Sequence, residues 1–227
     1  VGALAIGTLG RSLFQPPPAR PPVVRSLTYS GTSGSASLSA DGKFMAFASS
    51  RDGTSRIWLK QLASGEEVAL TAGRDFWPQI SPDSGSVLFR RTDKGNTDLY
   101  RVPLVGGEPR RLASDIDFAR WSPDGKQIAL ARNLDRGSQV LLVPAEGGEE
   151  RLLAELDTGM RGLDWSPDGS SLLTVTAARV NSISSTAVTT VEVGTGKRRE
   201  LYPLPAGSVS SAARWDGNAA VLFAWSP

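Results

Sequence analysis

The side chains that could do chemistry in this 227-residue chain are carboxylates, guanidinium and ammonium groups, phenols and hydroxyls, because it contains neither His nor Cys. Those two absences exclude Ser-His-Asp and Cys-His relays, His-ligated zinc, haem or copper, thiol nucleophiles, disulfides and iron–sulfur clusters. The informative remainder gathers in four short stretches: Arg74-Asp75-Phe76-Trp77, Asp115 to Arg120 with Asp117, Met160 to Asp164 with Arg161, and Ala212-Ala213-Arg214. They bring aromatic residues and both charge signs together, and aromatic and Arg side chains form the usual hot spots of peptide and protein recognition. The competing structural reading makes the Asp and Arg neighbours ion pairs and has Phe76 and Trp77 cover an interface between elements. A carboxylate-based glycosidase would need Asp117 and Asp164 about 5 to 9.5 Å apart. The candidate recognition set is therefore Arg74, Asp75, Phe76, Trp77, Asp117, Arg120, Met160, Arg161, Asp164 and Arg214. No catalytic, cofactor-binding or metal-binding residue is expected among them.

Composition says what frame must hold these stretches. There are 25 Lys and Arg against 23 Asp and Glu, a net charge of +2, which predicts no nucleic-acid footprint. The pI of about 9.2 is a poor guide to partners, since no side chain here titrates between the carboxylates and the phenols and amines. Gly and Pro number 24 and 15, above their usual combined share of about 12%, while long apolar runs are missing. That punctuation predicts an all-β domain of many short strands.

An internal repeat organises the strands. Ser39-Ala40-Asp41-Gly42, Ser81-Pro82-Asp83-Ser84, Ser122-Pro123-Asp124-Gly125 and Ser166-Pro167-Asp168-Gly169 recur, and Trp215-Asp216-Gly217 is a shortened fifth copy. The Asp residues lie 41 to 48 positions apart, the period of a four-stranded propeller blade. After each turn comes an apolar run: Phe44 to Ala48, Val87 to Phe89, Ile128 to Ala131, Leu172 to Val175 and Val221 to Phe223. A third strand follows at Ile57 to Leu59, Leu99 to Val102, Val140 to Val143 and Val188 to Val193, then a Gly turn and a fourth strand ending at Leu70, Leu112, Leu153 and Leu201. The stretch Ala177 to Ala187 reads as a longer polar connection, and Arg90-Arg91 and Arg110-Arg111 read as strand-edge charges that block aggregation.

Turn chemistry accounts for the signature without any function. Pro presets the first central position of a type I turn, Asp suits the second, and Gly supplies the left-handed residue that returns the chain. The repeated Asp residues are accordingly expected to be structural rather than a ring of metal ligands, since hairpin tips on separate blades point apart. Ser81 to Gly85 also fits part of a sialidase Asp box, on a single match. Ala40 in place of Pro and Ser84 in place of Gly leave the geometry of those two turns open.

The order W-S-P-D-G-K at Trp121 to Lys126, apolar strands at Ile128 to Leu130 and Val140 to Val143, Gly147-Gly148-Glu149 and then Arg151-Leu152 closely resembles the TolB-like (WD-like) β-propeller repeat. The resemblance covers about residues 27 to 227 and implies an all-β propeller of four-stranded antiparallel blades. Four blades and part of a fifth are present, so the chain is expected to be a fragment of a six- or seven-bladed ring. In such a ring the first strand of each blade lines the central channel, and the four stretches named above lead into those strands on one rim.

The remaining segments carry architectural expectations. Residues 1–14 are apolar and stop short of a spanning length of about 20 residues, which fits the end of a membrane helix. Residues 15–26 are proline-rich and read as a stiff linker, with the propeller over 27–227. This arrangement resembles bacterial membrane proteins in which a cytoplasmic Ser/Thr kinase or winged-helix domain precedes the membrane helix and the propeller lies outside the cytoplasm. It implies a non-enzymatic, extracytoplasmic sensor that binds a protein or peptide, or else a small ligand, with membrane attachment only through the N-terminal segment. The alternative is the substrate-gating propeller of a peptidase resembling prolyl oligopeptidase, whose hydrolase domain would lie elsewhere because no G-x-S-x-G elbow occurs here.

Overall fold

The computed structural model describes residues 27, 28, 31–180, 183–203, 209–216 and 219–225. The expected apolar segment and proline linker, 1–14 and 15–26, lie outside them. The chain divides into Val1–Gly31 and Thr32–Pro227, and every strand belongs to the second unit. Among the described residues there is no helix.

Four antiparallel sheets of four strands follow one another along the chain. The first holds β1 (Ser33–Leu38), β2 (Phe44–Ser49), β3 (Arg56–Gln61) and β4 (Glu67–Ala69). The second holds β5 (Asp75–Ile80), β6 (Ser86–Asp93), β7 (Asn96–Pro103) and β8 (Arg110–Ala113), and the third β9 (Phe118–Trp121), β10 (Gln127–Asn133), β11 (Ser138–Pro144) and β12 (Arg151–Leu156). The fourth holds β13 (Gly159–Trp165), β14 (Ser171–Val180), β15 (Ile183–Glu192) and β16 (Arg198–Pro203), and β17 (Val209–Asp216) pairs with β18 (Ala219–Trp225). Each sheet is a simple meander in chain order, as expected of propeller blades.

The second strand of each complete sheet carries the apolar run buried in the cores between sheets. Phe47, Leu88, Phe89, Ile128, Leu130, Leu172 and Leu173 are all fully buried. Separate cores fill the spaces between successive sheets: Ala46, Ile57 and Val87 between the first two, Leu88, Ile128 and Leu130 between the second and third, Leu142, Met160 and Trp165 between the third and fourth. The first strands pack side by side, β1 against β5 and β13 against both β9 and β17.

The repeated tetrapeptide closes the turn between first and second strands identically in four copies. The Ser carbonyl accepts from the N–H three residues on, at Gly42, Ser84, Gly125 and Gly169, all of which adopt left-handed backbone. The Ser hydroxyl is the hub: it donates to the Asp two residues on (2.7 Å at Asp41 and Asp124, 2.6 Å at Asp168, with Ser81 and Asp83 likewise) and accepts from the N–H five residues on. Hydrogen bonds from Ser39 and from the Lys43 amide hold the Asp41 carboxyl at about 2, and Ser166 and the Ser170 amide do the same for Asp168. Neither Ala40 nor Ser84 disturbs the geometry, and Ser84 takes φ 59° where its counterparts are Gly.

Two expectations need correction. Ala177 to Ala187 is not a loop over most of its length. β14 and β15 stay in register out to Ala178↔Ser185, Arg179↔Ser184 and Val180↔Ile183, leaving only two connecting residues. β-Branched residues suit a ladder, and Thr186 is buried in it. The fourth strands β12 and β16 also run on to Leu156 and Pro203.

Candidate functional site

Where the first strands converge, a cavity of about 260 Å³ is lined by Trp77 and Gln79 of β5, Arg90 of β6, Phe118 and Arg120 of β9, Arg161 of β13 and Arg214 of β17. All but Arg90, on the second strand β6, come from a first strand, whose side chains alternate across the pleat between cavity and core. Gln79 ties the second sheet to the third by donating to the Ala119 carbonyl at 2.7 Å. The repeat tryptophans do the same work, Trp165 donating to the Arg120 carbonyl at 3.0 Å and Trp121 to that of Gln79 at 3.4 Å.

Trp77 sits in a bulge, where the β5–β6 register shifts between Phe76 and Gln79. Its φ is 51°, although it precedes Pro78, a position that proline normally drives to extended backbone. Its N–H donates to Ser35 Oγ at 2.9 Å, and its ring, 53% exposed, lies over the Arg90 guanidinium with 3.7 Å from Cζ to the ring centroid. Such strain persists only where surrounding contacts over-determine it, and functional sites collect it.

The cavity is strongly cationic. Arg120 is half-buried, with Nη1 bonded only to the Ala119 carbonyl at 3.0 Å and an enclosed Nε that has no partner. Removal from water, then the positive charge of Arg214, lowers the Arg120 guanidinium to about 10 against the opposing pull of Asp164. Removal from water also lowers Arg90 to about 10, with Asp117 opposing. Both stay cationic at neutral pH. Arg214 reaches Asp164 at 3.3 Å, and the other Asp164 oxygen accepts from the Trp215 amide at 3.1 Å.

A second, shallower cavity of about 520 Å³ adjoins the first and shares Trp77 and Arg90 with it. Arg74, Phe76, Ile116 and Asp117 contribute to its lining. Asp117 accepts from the Asn133 amide at 2.7 Å.

Of the ten residues predicted from sequence, Trp77, Arg120, Arg161 and Arg214 therefore meet at one cavity, and Arg74, Phe76 and Asp117 at its neighbour. Asp164 is engaged with Arg214. Asp75 and Met160 stand apart. Asp75 is fully buried in a two-pronged bridge to Arg91 (2.7 and 3.0 Å), and Met160 lies in the core between the third and fourth sheets. Neither offers its side chain to a ligand on the surface. Asp117 and Asp164 each hold other donors, the Asn133 amide and the Trp215 amide.

Arg90 is the residue that sequence reasoning missed, having read Arg90-Arg91 as edge charges. β6 is paired on both sides, so its two arginines belong to the interior of the blade: Arg90 turns to the cavity and Arg91 to Asp75. A signal was available, since two consecutive arginines directly follow the buried run Val87 to Phe89 and precede the Lys94-Gly95 turn by three residues. Among the lining residues no carboxylate or Lys is set beside a hydroxyl nucleophile. The arrangement supplies positive charge, donors and aromatic faces, which is the equipment of binding.

The TolB beta propeller domain family matches residues 24–218. Over 150 residues the chain is 30% identical to the protein Atu1656 of Agrobacterium fabrum, a match covering 58% of this chain and 50% of that protein. Among solved structures, TolB from Acinetobacter baumannii superposes with a TM-score of 0.62 at 24% identity, covering 86% of this chain and 51% of that one. The acylaminoacyl peptidase of Pyrococcus horikoshii gives a TM-score of 0.62 at 15% identity, covering 85% of this chain and 36% of that one. The chain thus spans about half the length of Atu1656 and of TolB. At such identities the structural likenesses establish a shared fold. Joined to four repeats with one turn geometry, four meandering sheets and a family match over most of the sequence, they lead to one assignment: the chain belongs to the TolB β-propeller domain family.

Proposed function

We propose that this propeller is a non-enzymatic recognition module that binds a protein or peptide on the face where the Trp77–Arg120–Arg161–Arg214 cavity opens, with a small ligand as the lesser variant. The observation that carries the reading is the convergence of those four side chains, from four successive sheets, on one cavity. TolB-type propellers are as a rule non-catalytic interaction domains of the extracytoplasmic space, which supports both the binding role and that location. In the same reading, residues 1–14 and 15–26 would connect the propeller to a membrane, as the outer part of a tethered sensor such as a Ser/Thr kinase. No helix among the described residues is long and apolar enough to cross a membrane.

Recovery of a partner from an envelope extract by the immobilised chain tests the face. Arg120→Glu and Arg161→Glu together should reduce that recovery about tenfold or more, because reversing charges at a desolvated contact costs several kcal/mol. Undiminished recovery would remove this face from the proposal.

The likeness to the Pyrococcus acylaminoacyl peptidase favours a second reading, a propeller that gates access to a hydrolase. The 227 residues contain no G-x-S-x-G elbow, so catalysis would rest on a separate domain. Reading the flanking codons separates the two: a kinase or DNA-binding domain upstream supports the sensor, a hydrolase downstream the gate.

A further inference from the structure

We infer that the arginine cavity is an anchor for a carboxylate carried by an extended peptide segment, an inference that rests on the recognition face proposed above and gives it a ligand chemistry. Outside the cavity every half-buried arginine among the described residues meets a carboxylate, Arg56, Arg91, Arg101 and Arg132 at Asp52, Asp75, Glu146 and Glu150, and only exposed arginines go without. Around the cavity the rule is suspended. Arg90, Arg120 and Arg161 have no carboxylate partner among the described residues, and only Arg214 has one.

The exception is costly. An enclosed guanidinium nitrogen without an acceptor loses its hydration and gains nothing, and native proteins hold few such groups. Arg120 bears that cost while Arg214 and Arg90 repel it. An arriving anion removes both penalties at once, since each guanidinium offers a fork of N–H donors matched to a planar carboxylate.

The shape selects the carrier of the charge. About 260 Å³ admits an acidic side chain or a chain end with little else, and the cavity continues past Trp77 and Arg90 into the space of about 520 Å³ bordered by Phe76 and Ile116. A free anion would use only the first compartment. A peptide uses both, with its carboxylate among the arginines and a neighbouring apolar side chain against Trp77 and Phe76, where aromatic area adds binding energy at little entropic cost.

The test is calorimetric titration of the 227-residue chain with Ac-Ala-Phe-Glu-Ala-amide, Ac-Ala-Phe-Ala with a free carboxyl end, the neutral Ac-Ala-Phe-Gln-Ala-amide, and inorganic phosphate. At least one carboxylate peptide should bind about tenfold tighter than the neutral peptide, and which one does so distinguishes a side-chain source from a chain end. Arg120→Gln and Arg161→Gln should each weaken it about tenfold to a hundredfold, the range for a charged hydrogen bond. Arg161 is exposed, so its variant keeps the fold even if that of Arg120 does not. Equal binding of the neutral peptide, phosphate binding as tight as the peptides, or unchanged binding in both variants each overturns the anchor. Neutral-peptide binding that Trp77→Ala abolishes would overturn the anchor yet leave the recognition face standing. Failure of all the peptides overturns the anchor too, whereas the face itself is decided by partner recovery.

Discussion

Arg90 and Arg91 are consecutive residues on one strand, and the chain spends them in opposite ways. Arg91 clamps the fully buried Asp75 with two hydrogen bonds and lies against Tyr100, 4.8 Å from the ring centroid. The bridge in turn raises the Arg91 guanidinium above its ordinary value. The fit is close enough that a Cβ on Gly73 would fall 2.5 Å from Arg91 Nε. Arg90, one residue earlier, has a tryptophan face and a distant carboxylate. The same division separates the two ends of the blades. At the Ser-Asp turns the Ser hydroxyl and the Asp carboxylate are used in the same way in four copies. At the cavity the donors are left over and the four sheets contribute different residues. Satisfied repetition builds the propeller, and the unsatisfied donors at the cavity are those on which the proposed recognition rests.

Substitution of Asp75 should break this comparison hardest. Asp75→Asn leaves Arg91 without its charge partner in the blade interior, and removing one member of a buried pair costs about 3 kcal/mol or more. For a domain of this size that corresponds to a fall in Tm of roughly 6–12 °C. Arg90→Gln should leave Tm unchanged or raise it. Thermal melts of the two variants side by side decide the matter, and equal losses would mean that Arg90 is as structural as its neighbour.

The turns supply the next effect. Ser166→Ala removes the hydroxyl that donates to Asp168 and accepts from the Ser171 amide, leaving a part-buried N–H without its acceptor at a cost of about 1 kcal/mol. It also bears on acid stability. Asp41 and Asp168 are lowered from 3.8 to about 2 in the folded chain, so their stabilisation is complete above pH 3.8 and is lost as pH falls toward about 2. Without the Ser166 hydroxyl the Asp168 carboxyl rises, and this variant should lose less additional stability over that window than the parent does. Melts recorded from pH 7 down to 2 would show parallel curves if the hydrogen bond contributed nothing.

The contrast also explains what could be read in advance. The blade count, strand order and turn roles were legible because each repeats, and a motif such as Trp121 to Lys126 names its own geometry. Ala177 to Ala187 was misread because its polar residues look like a connection, whereas the backbone pairing of β14 with β15 needs no apolar side chain. Trp77, Arg120, Arg161 and Arg214 could be grouped because the repeat placed all four on inner strands. Asp75 and Met160 could not be told from them, since the alternation of the pleat sends neighbours in one stretch to opposite faces and the bulge at Trp77 resets it. Arg90 lay outside the repeated signature, and although two arginines after a buried run mark a paired strand, they do not say which one meets a carboxylate and which stays open.

The smallest effect sharpens the comparison from the side of the turns. Ser84 adopts φ 59° where three counterparts have Gly, and its side chain makes no hydrogen bond that would hold it there. A left-handed residue with a Cβ costs about 1 kcal/mol, partly offset by the greater freedom that Gly has in the unfolded chain. Ser84→Gly should therefore stabilise by about 0.5 kcal/mol and raise Tm by roughly 1–2 °C. Gly125→Ser, at φ 71°, should lower Tm by a similar amount. Because these turns close the ends of β5 and β9 away from the segments that lead into them, peptide binding at the cavity should be the same in both variants. A change in binding without a change in Tm would show that the turns and the cavity are coupled through the first strands, and that building and binding are not the separate tasks the two arginines make them.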